Sequence, residues 1–165
     1  MQTLLIKLWQ FLRLPSNLQL FVMRRFNDQF LIGVTGIILN EKNEILLFKH
    51  TYRDNGQWSL PGGYIKAKEH PKEGLEREIK EESGLTVSVD ERIKIRTDRL
   101  TARLDITYMG TFIGGDFLPS KEVSEMRFFK FEDLPRLPKD QLIFVDKALK
   151  IRKEREKPNP APVSQ

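Results

Sequence analysis

The stretch Arg77 to Leu85, REIKEESGL, sets three carboxylates, Glu78, Glu81 and Glu82, within little more than one turn of any helix it forms. Residues three and four apart share a helix face, and like charges at that spacing repel. A hard divalent cation relieves such a cluster, because it takes oxygen ligands from carboxylates, water and substrate phosphates. The chain around the acids is basic, with 28 Lys+Arg against 23 Asp+Glu and a net charge of +5. That balance favours anionic partners: nucleotides, nucleic acids or acidic membrane surfaces. An acidic metal pocket in a basic protein suits a phosphorylated substrate, since the cation screens carboxylate from phosphate. The competing reading is a solvated helix face on which Arg77 and Lys80 balance the acids.

A helix from about Pro71 to Ser83 must carry these residues. Pro71 suits the first turn, and Glu73 sits where a capping-box acid would, behind the weak cap His70. Gly84 is placed to end the helix. Leu75 and Ile79 lie to one side and can face a core. Gly74, one turn before Glu78, costs about 1 kcal/mol relative to alanine in a helix interior, and its missing side chain suggests open space beside the acids. Upstream, LPGG supplies flexible backbone able to approach a metal or phosphate closely.

The flanking segments read as strands. FLIGVTGIIL and EILLFKH bracket the polar turn NEKN as a β-hairpin. The loop TYRDNGQW leads to SLPGGYI. LTVSVDERIKIRTD, ARLDITYMGTFI and EVSEMRFFKF are strand-like by alternation and β-branching, and EDLPRLP is a short turn. Asp140 can cap a last helix whose apolar side carries Leu142, Val145 and Leu149. A mixed sheet covered on both faces follows. Before it, Leu5, Leu8, Trp9 and Leu12 have helical spacing, and Ser16 with Gln19 resembles a capping box opening a second helix to about Arg25. The proline-rich end, PNPAPVSQ, reads as disordered.

The whole segment Gly63 to Leu85 reads G-x5-E-x7-R-E-U-x-E-E-x-G-U, U being aliphatic, with Gly63, Glu69, Arg77, Glu78, Ile79, Glu81, Glu82, Gly84 and Leu85 at the fixed positions. This resembles the signature box of the Nudix hydrolase superfamily. The resemblance implies a Nudix-like α/β/α sandwich, a member of the α/β class, over residues 30–150, preceded by short N-terminal helices in 1–29. The end of the C-terminal helix and the tail occupy 151–165. It implies hydrolysis of a nucleoside diphosphate linked to a group X, with Mg²⁺ or Mn²⁺ as cofactor. Carried over by position, Glu78, Glu81 and Glu82 form the metal cluster. The Gly62 carbonyl is a further ligand, Glu69 acts nearby, and Arg77 orients the carboxylates. Glu78 is the first choice of base. An acid beyond the box is also expected, Glu122 or Glu125, with Glu125 preferred.

The box does not choose X. LTAR at 100–103 lacks the proline or tyrosine that marks some branches, and the segment before the box does not match the coenzyme A motif. The resemblance therefore leaves nucleoside triphosphates, oxidised nucleotides and NDP-sugars or NDP-alcohols ahead of ADP-ribose, dinucleoside polyphosphates and coenzyme A. Trp58 and Tyr52 are candidates to stack on a base. Arg53, Lys94, Arg96, Arg99 and Arg103 are candidates to meet phosphates, and His50 reads as structural. Two alternatives stand beside the hydrolase: a non-catalytic nucleotide-sensing or scaffold module, and an RNA 5′-end pyrophosphohydrolase, although no nucleic-acid-binding motif supports the second.

The chain contains no cysteine, which excludes a disulfide framework and thiolate metal sites. Its apolar N-terminus is broken by Lys7, Arg13 and Pro15, so no run there is long enough to span a bilayer. It also lacks the order of charge, apolar stretch and cleavage site of a signal peptide. A cytoplasmic location is expected. The N-terminal helices read foremost as packing on the domain or across a homodimer, and secondarily as a peripheral membrane contact.

Overall fold

The computed structural model describes residues 15–52, 57–98 and 100–156. The chain divides after Phe30. In the first part, helix α1 spans Ser16–Phe26 with Pro15 as its N-cap and no side-chain cap hydrogen bond. The expected capping box of Ser16 and Gln19 does not form, because Ser16 already lies inside the helix, where its backbone is helical. Pro15 leads in with its fixed φ, and its carbonyl accepts from the Leu18 and Gln19 N–H groups. The apolar helix expected around Leu5–Leu12 lies outside the described residues. No described helix is long and apolar enough to cross a membrane.

The second part is a mixed sheet between two helices. Its strands are β1 (Leu31–Leu39), β2 (Ile45–His50), β3 (Trp58–Ser59), β4 (Gly62–Tyr64), β5 (Thr86–Asp98), β6 (Arg103–Gly114) and β7 (Val123–Phe129). Helix α2 (Pro71–Ser83) and helix α3 (Lys139–Glu156) complete it. β1 runs parallel to β6 along its whole length, while the other strand pairings are antiparallel. The NEKN turn is organised by Asn40, whose Oδ1 accepts from the N–H groups of Lys42 and Glu44, each at 2.9 Å. The hairpin it closes pairs only at Leu39 and Ile45. Farther along, β4 pairs with Gly33, Val34 and Thr35 of β1 instead. β3 and β4 fall in a segment read from sequence as loop and turn; two or three residues, two of the three in β4 being glycine, carry no alternation to detect.

Alternation along each strand divides the core in two. Val34 and Ile38 of β1, Leu46 and Phe48 of β2, and Ile106 and Tyr108 of β6 pack with Leu75 and Ile79 of α2. Ile37 and Leu39, Ile45 and Leu47, and Met109 point the other way and pack with Val145 and Ala148 of α3. Leu142 and Leu149 lie against this second cluster, as their spacing predicts. Asp140 does not stand before α3 as a cap. It is the helix's second residue, and its carboxylate reaches back to Arg96 on β5.

α2 runs over the residues expected of it. His70 Nδ1 accepts from Lys72 N–H at 3.3 Å and Glu73 accepts from His70 N–H at 3.1 Å, a complete capping box with histidine as the cap. Gly84 closes the helix in the left-handed region at φ 75°, where glycine has no Cβ penalty. β4 lies so close to β1 that a Cβ on Gly62 would stand 2.2 Å from the Val34 carbonyl oxygen. That contact is with backbone, which cannot rotate aside. Gly62→Ala is therefore expected to lower the unfolding free energy by about 1–3 kcal/mol, read by urea denaturation; an unchanged midpoint would show that β4 can withdraw.

Candidate active site

Three of the acids, Glu69, Glu78 and Glu81, are held in place by one guanidinium. Arg77 Nε donates to Glu69 Oε1 at 2.6 Å and Nη2 to Glu69 Oε2 at 3.0 Å. Nη1 donates to Glu78 Oε1 at 2.7 Å and to Glu81 Oε2 at 2.9 Å. Nη2 also reaches the Tyr64 carbonyl at 3.2 Å, tying the helix to β4. Glu73, four residues before Arg77 and a conceivable partner, is instead used by the helix cap. Glu69 enters from the loop after β4, where Lys66 N–H donates to its Oε2 at 2.9 Å. Gly74 makes that approach possible: a Cβ there would meet Ile65 at 2.9 Å and Glu69 Oε2 at 3.0 Å. The space expected beside Gly74 is thus filled by the incoming loop.

Charge pairing favours the charged form of each of these groups. Arg77 holds Glu69 well below its ordinary 4.5, at about 2, with the Lys66 N–H second. Glu69 in turn raises Arg77, helped by Glu78 and Glu81. Desolvation works to raise Glu81, but Lys66 and Arg77 outweigh it and hold that carboxyl below its usual range.

Gly63 faces α2, and a Cβ there would fall 2.5 Å from Glu78 Oε2. The second glycine of the pair therefore clears the place where the Glu78 carboxylate lies. Glu78 and Glu82 line a cleft of about 580 Å³ with Gly62, Gly63, Tyr52 and Glu122. A neighbouring cavity of about 220 Å³ is bounded by Glu78, Glu81, Glu82 and the segment Ser120, Lys121, Glu122. That segment is fixed from both sides. Thr51 donates through its N–H to the Glu122 carbonyl at 2.9 Å and through Oγ1 to the Lys121 carbonyl at 2.7 Å. Leu118 N–H bonds the carbonyl of Ser83, at the end of α2, at 2.9 Å.

The structure thus brings Glu122, rather than the preferred Glu125, to the glutamates. Glu125 lies on β7 opposite Lys49 of β2 and is paired with its ammonium at 2.6 Å. Lys49 holds it below its ordinary range, and it lines neither cavity. As a metal ligand it is not carried forward.

The NUDIX domain model matches residues 29–148. The chain belongs to the Nudix family. It is 40% identical over 60 residues to a MutT-like protein of Streptomyces ambofaciens, a match covering 36% of this chain and 38% of that protein. It is 32% identical over 114 residues to an ADP-ribose pyrophosphatase of Methanocaldococcus jannaschii, covering 66% of this chain and 67% of that one. In fold it is similar to a UDP-X diphosphatase, with a TM-score of 0.66 and 22% identity over 84% of this chain and 73% of that chain. The mixed sheet between α2 and α3 is thus the expected Nudix sandwich.

The oxygen-only donor set of this Nudix site fits a hard cation such as Mg²⁺ or Mn²⁺ in chemistry. As the side chains stand, no three acids among the described residues gather around one point suited to an ion. Arg77 takes an oxygen each from Glu78 and Glu81, and Lys66 takes the other Glu81 oxygen at 3.3 Å.

Of the residues expected to meet substrate, Tyr52 lines the cleft and tilts against the His50 ring at 5.2 Å. Trp58 does not line it. Its ring packs edge-on to Phe129 at 5.2 Å, with the Arg127 guanidinium 5.7 Å from the ring centre, as part of the second core cluster. Its hydrophobic area is used by the core, so the stacking role is withdrawn. Arg53 and Arg99 lie outside the described residues. Arg103 lines the cleft, with Tyr64, Thr35, Asp105 and Gln141, four residues that sequence reasoning missed. Only Tyr64, following the glycine pair directly, carried a positional signal. The others are gathered by strand register and by α3.

Because Glu69 titrates lower when folded, its contribution is complete above about 4.5 and is lost as the pH falls towards about 2. Glu69→Gln is therefore expected to melt below the wild type at neutral pH, with the gap closing over that window. A gap at about pH 2 as wide as at neutrality would refute the pairing.

Proposed function

We propose that the protein is a Mg²⁺- or Mn²⁺-dependent pyrophosphohydrolase acting on nucleotide-type substrates. The observation that carries this is one cleft of about 580 Å³ lined by the box glutamates Glu78 and Glu82, the first of them held by Arg77, a size within the range of small-molecule sites. Glu78, Glu81 and Glu82 would hold the cation, with the Gly62 carbonyl and Glu122 as further ligands. When bound, the cation neutralises charge on the diphosphate and makes water easier to deprotonate.

The chain's own residues supply position and a proton acceptor. Water adds to one phosphorus, the bond from that phosphorus to the bridging oxygen breaks, and the bridging oxygen leaves with the departing phosphate. The water's proton passes to a carboxylate, assigned to Glu78, whose Oε1 is fixed by Arg77 while Oε2 lies against Gly63. Glu69 keeps the guanidinium from swinging away. Arg77 therefore acts through the carboxylates it orients.

Nucleoside triphosphates, oxidised nucleotides and NDP-sugars or NDP-alcohols remain the leading substrates from sequence. The relatives named ADP-ribose pyrophosphatase and UDP-X diphosphatase place ADP-ribose and UDP-linked compounds in the same test. The full-length protein is to be assayed on this panel with Mg²⁺, with Mn²⁺ and with chelator, beside Glu82→Gln. At least one compound is expected to be cleaved only with metal, and the variant to lose about 100-fold or more of that rate while keeping its melting temperature. Near-wild-type turnover by Glu82→Gln would remove the metal role. Binding without turnover would favour the sensing module.

A further inference from the structure

The far end of the cleft has a different chemistry from the glutamate end. Strand register sets Tyr64 of β4, Gly33 of β1, Asp105 of β6 and Arg96 of β5 in one row across the sheet. Residues opposite one another in paired strands share a face, and this is the face that α3 covers. The smallest member of the row, Gly33, lets the Asp105 carboxylate lean over it. A Cβ there would sit 2.8 Å from Asp105 Oδ1, 3.8 Å from the Tyr64 ring and 3.9 Å from the Arg103 side chain. Three chemically distinct groups therefore converge over one glycine: an aromatic ring, a carboxylate and a guanidinium.

The pair at this point has capacity left over. Arg103 Nη2 donates to Asp105 Oδ2 at 3.0 Å. Arg103 Nε is 2.7 Å from Asp105 Oδ1, but its N–H is not directed at that oxygen and makes no hydrogen bond among the described residues. Arg96 approaches Oδ2 at 3.6 Å and is itself anchored on α3 by Asp140.

A guanidinium beside a carboxylate presents a donor next to two acceptors. Among the four bases, only guanine presents the matching edge: the O6 acceptor beside the N1–H and N2–H donors. Uracil places carbonyl oxygens on both sides of its N–H, which a carboxylate repels. Adenine and cytosine each offer an amine next to an acceptor nitrogen. We propose that this end of the cleft reads a guanine base, with the Asp105 carboxylate accepting from N1–H and N2–H, Arg103 donating to O6, and the Tyr64 ring as a contact surface. The proposal rests on the reading of the cleft as a nucleotide site and names the substrate class as guanine nucleotides.

Binding of nucleoside monophosphates, which have no pyrophosphate link to cut, tests base recognition apart from catalysis. The full-length protein is titrated calorimetrically with GMP, IMP, AMP, CMP and UMP, and the corresponding triphosphates are assayed for metal-dependent cleavage. GMP is expected to bind at least about tenfold tighter than IMP, which lacks only the N2 amine, and tighter than the other three. In Asp105→Asn, where one acceptor becomes a donor, the GMP and IMP affinities should converge. If that variant does not fold, the wild-type ratio decides alone. Equal affinity for GMP and IMP, or no binding by any monophosphate, overturns the guanine reading. Cleavage of all triphosphates alike would overturn it while leaving the hydrolase intact. Selective GMP binding with no cleavage would do the reverse.

Discussion

The Arg77 guanidinium bridges Glu69, Glu78 and Glu81 and touches the backbone of β4. Without it, Glu78 and Glu81 on the helix and Glu69 from the loop would crowd one place, and their repulsion would splay the side chains or fray the turn. A planar fork of five donors can satisfy several acceptors in fixed directions at once; an ammonium on a flexible stem cannot. The arrangement also binds three separate pieces of chain, α2, β4 and the loop that brings Glu69, into one unit.

That unit closes only because three positions lack a side chain. Gly62 lets β4 lie against the backbone of β1, Gly63 admits the Glu78 carboxylate, and Gly74 admits the Glu69 loop. In each case the contact is one a Cβ would occupy, so the reason is steric rather than conformational. The acids stay close to the sheet edge because strand, loop and helix approach more nearly than side-chain packing would allow.

The two faces of the sheet then divide the labour of the cleft. Odd and even residues of β1 and β6 point to opposite sides. Val34 and Ile106 join the core beneath α2, and the glutamates stand on that helix. Gly33, Thr35, Arg103 and Asp105 belong to the side covered by α3, whose Asp140 holds Arg96 in place. A ligand spanning the cleft meets carboxylates at one end and a mixed polar surface at the other.

How much of this could be read without coordinates follows from the range of each interaction. The extent of α2, its capping box, its glycine stop and the spacing of Glu78, Glu81 and Glu82 are contained in neighbours three or four residues apart, and local helical geometry dictates them. The strand pattern of β1, β2, β5, β6 and β7 was legible for the same reason, through alternation. β3 and β4 are too short to alternate. The sequence could not say that Asp140 would reach for Arg96 instead of capping α3, since that choice depends on where β5 passes. Nor could it choose Glu122 over Glu125: the two are three residues apart, and pairing of β7 with β2 places Lys49 beside one of them. Trp58 was lost to the core by the same kind of cross-chain contact. The residues that could do chemistry were set by sequence, because their spacing is local. Which of them meet in one cleft was set by strand register and helix packing, because those bring together side chains that no local rule relates.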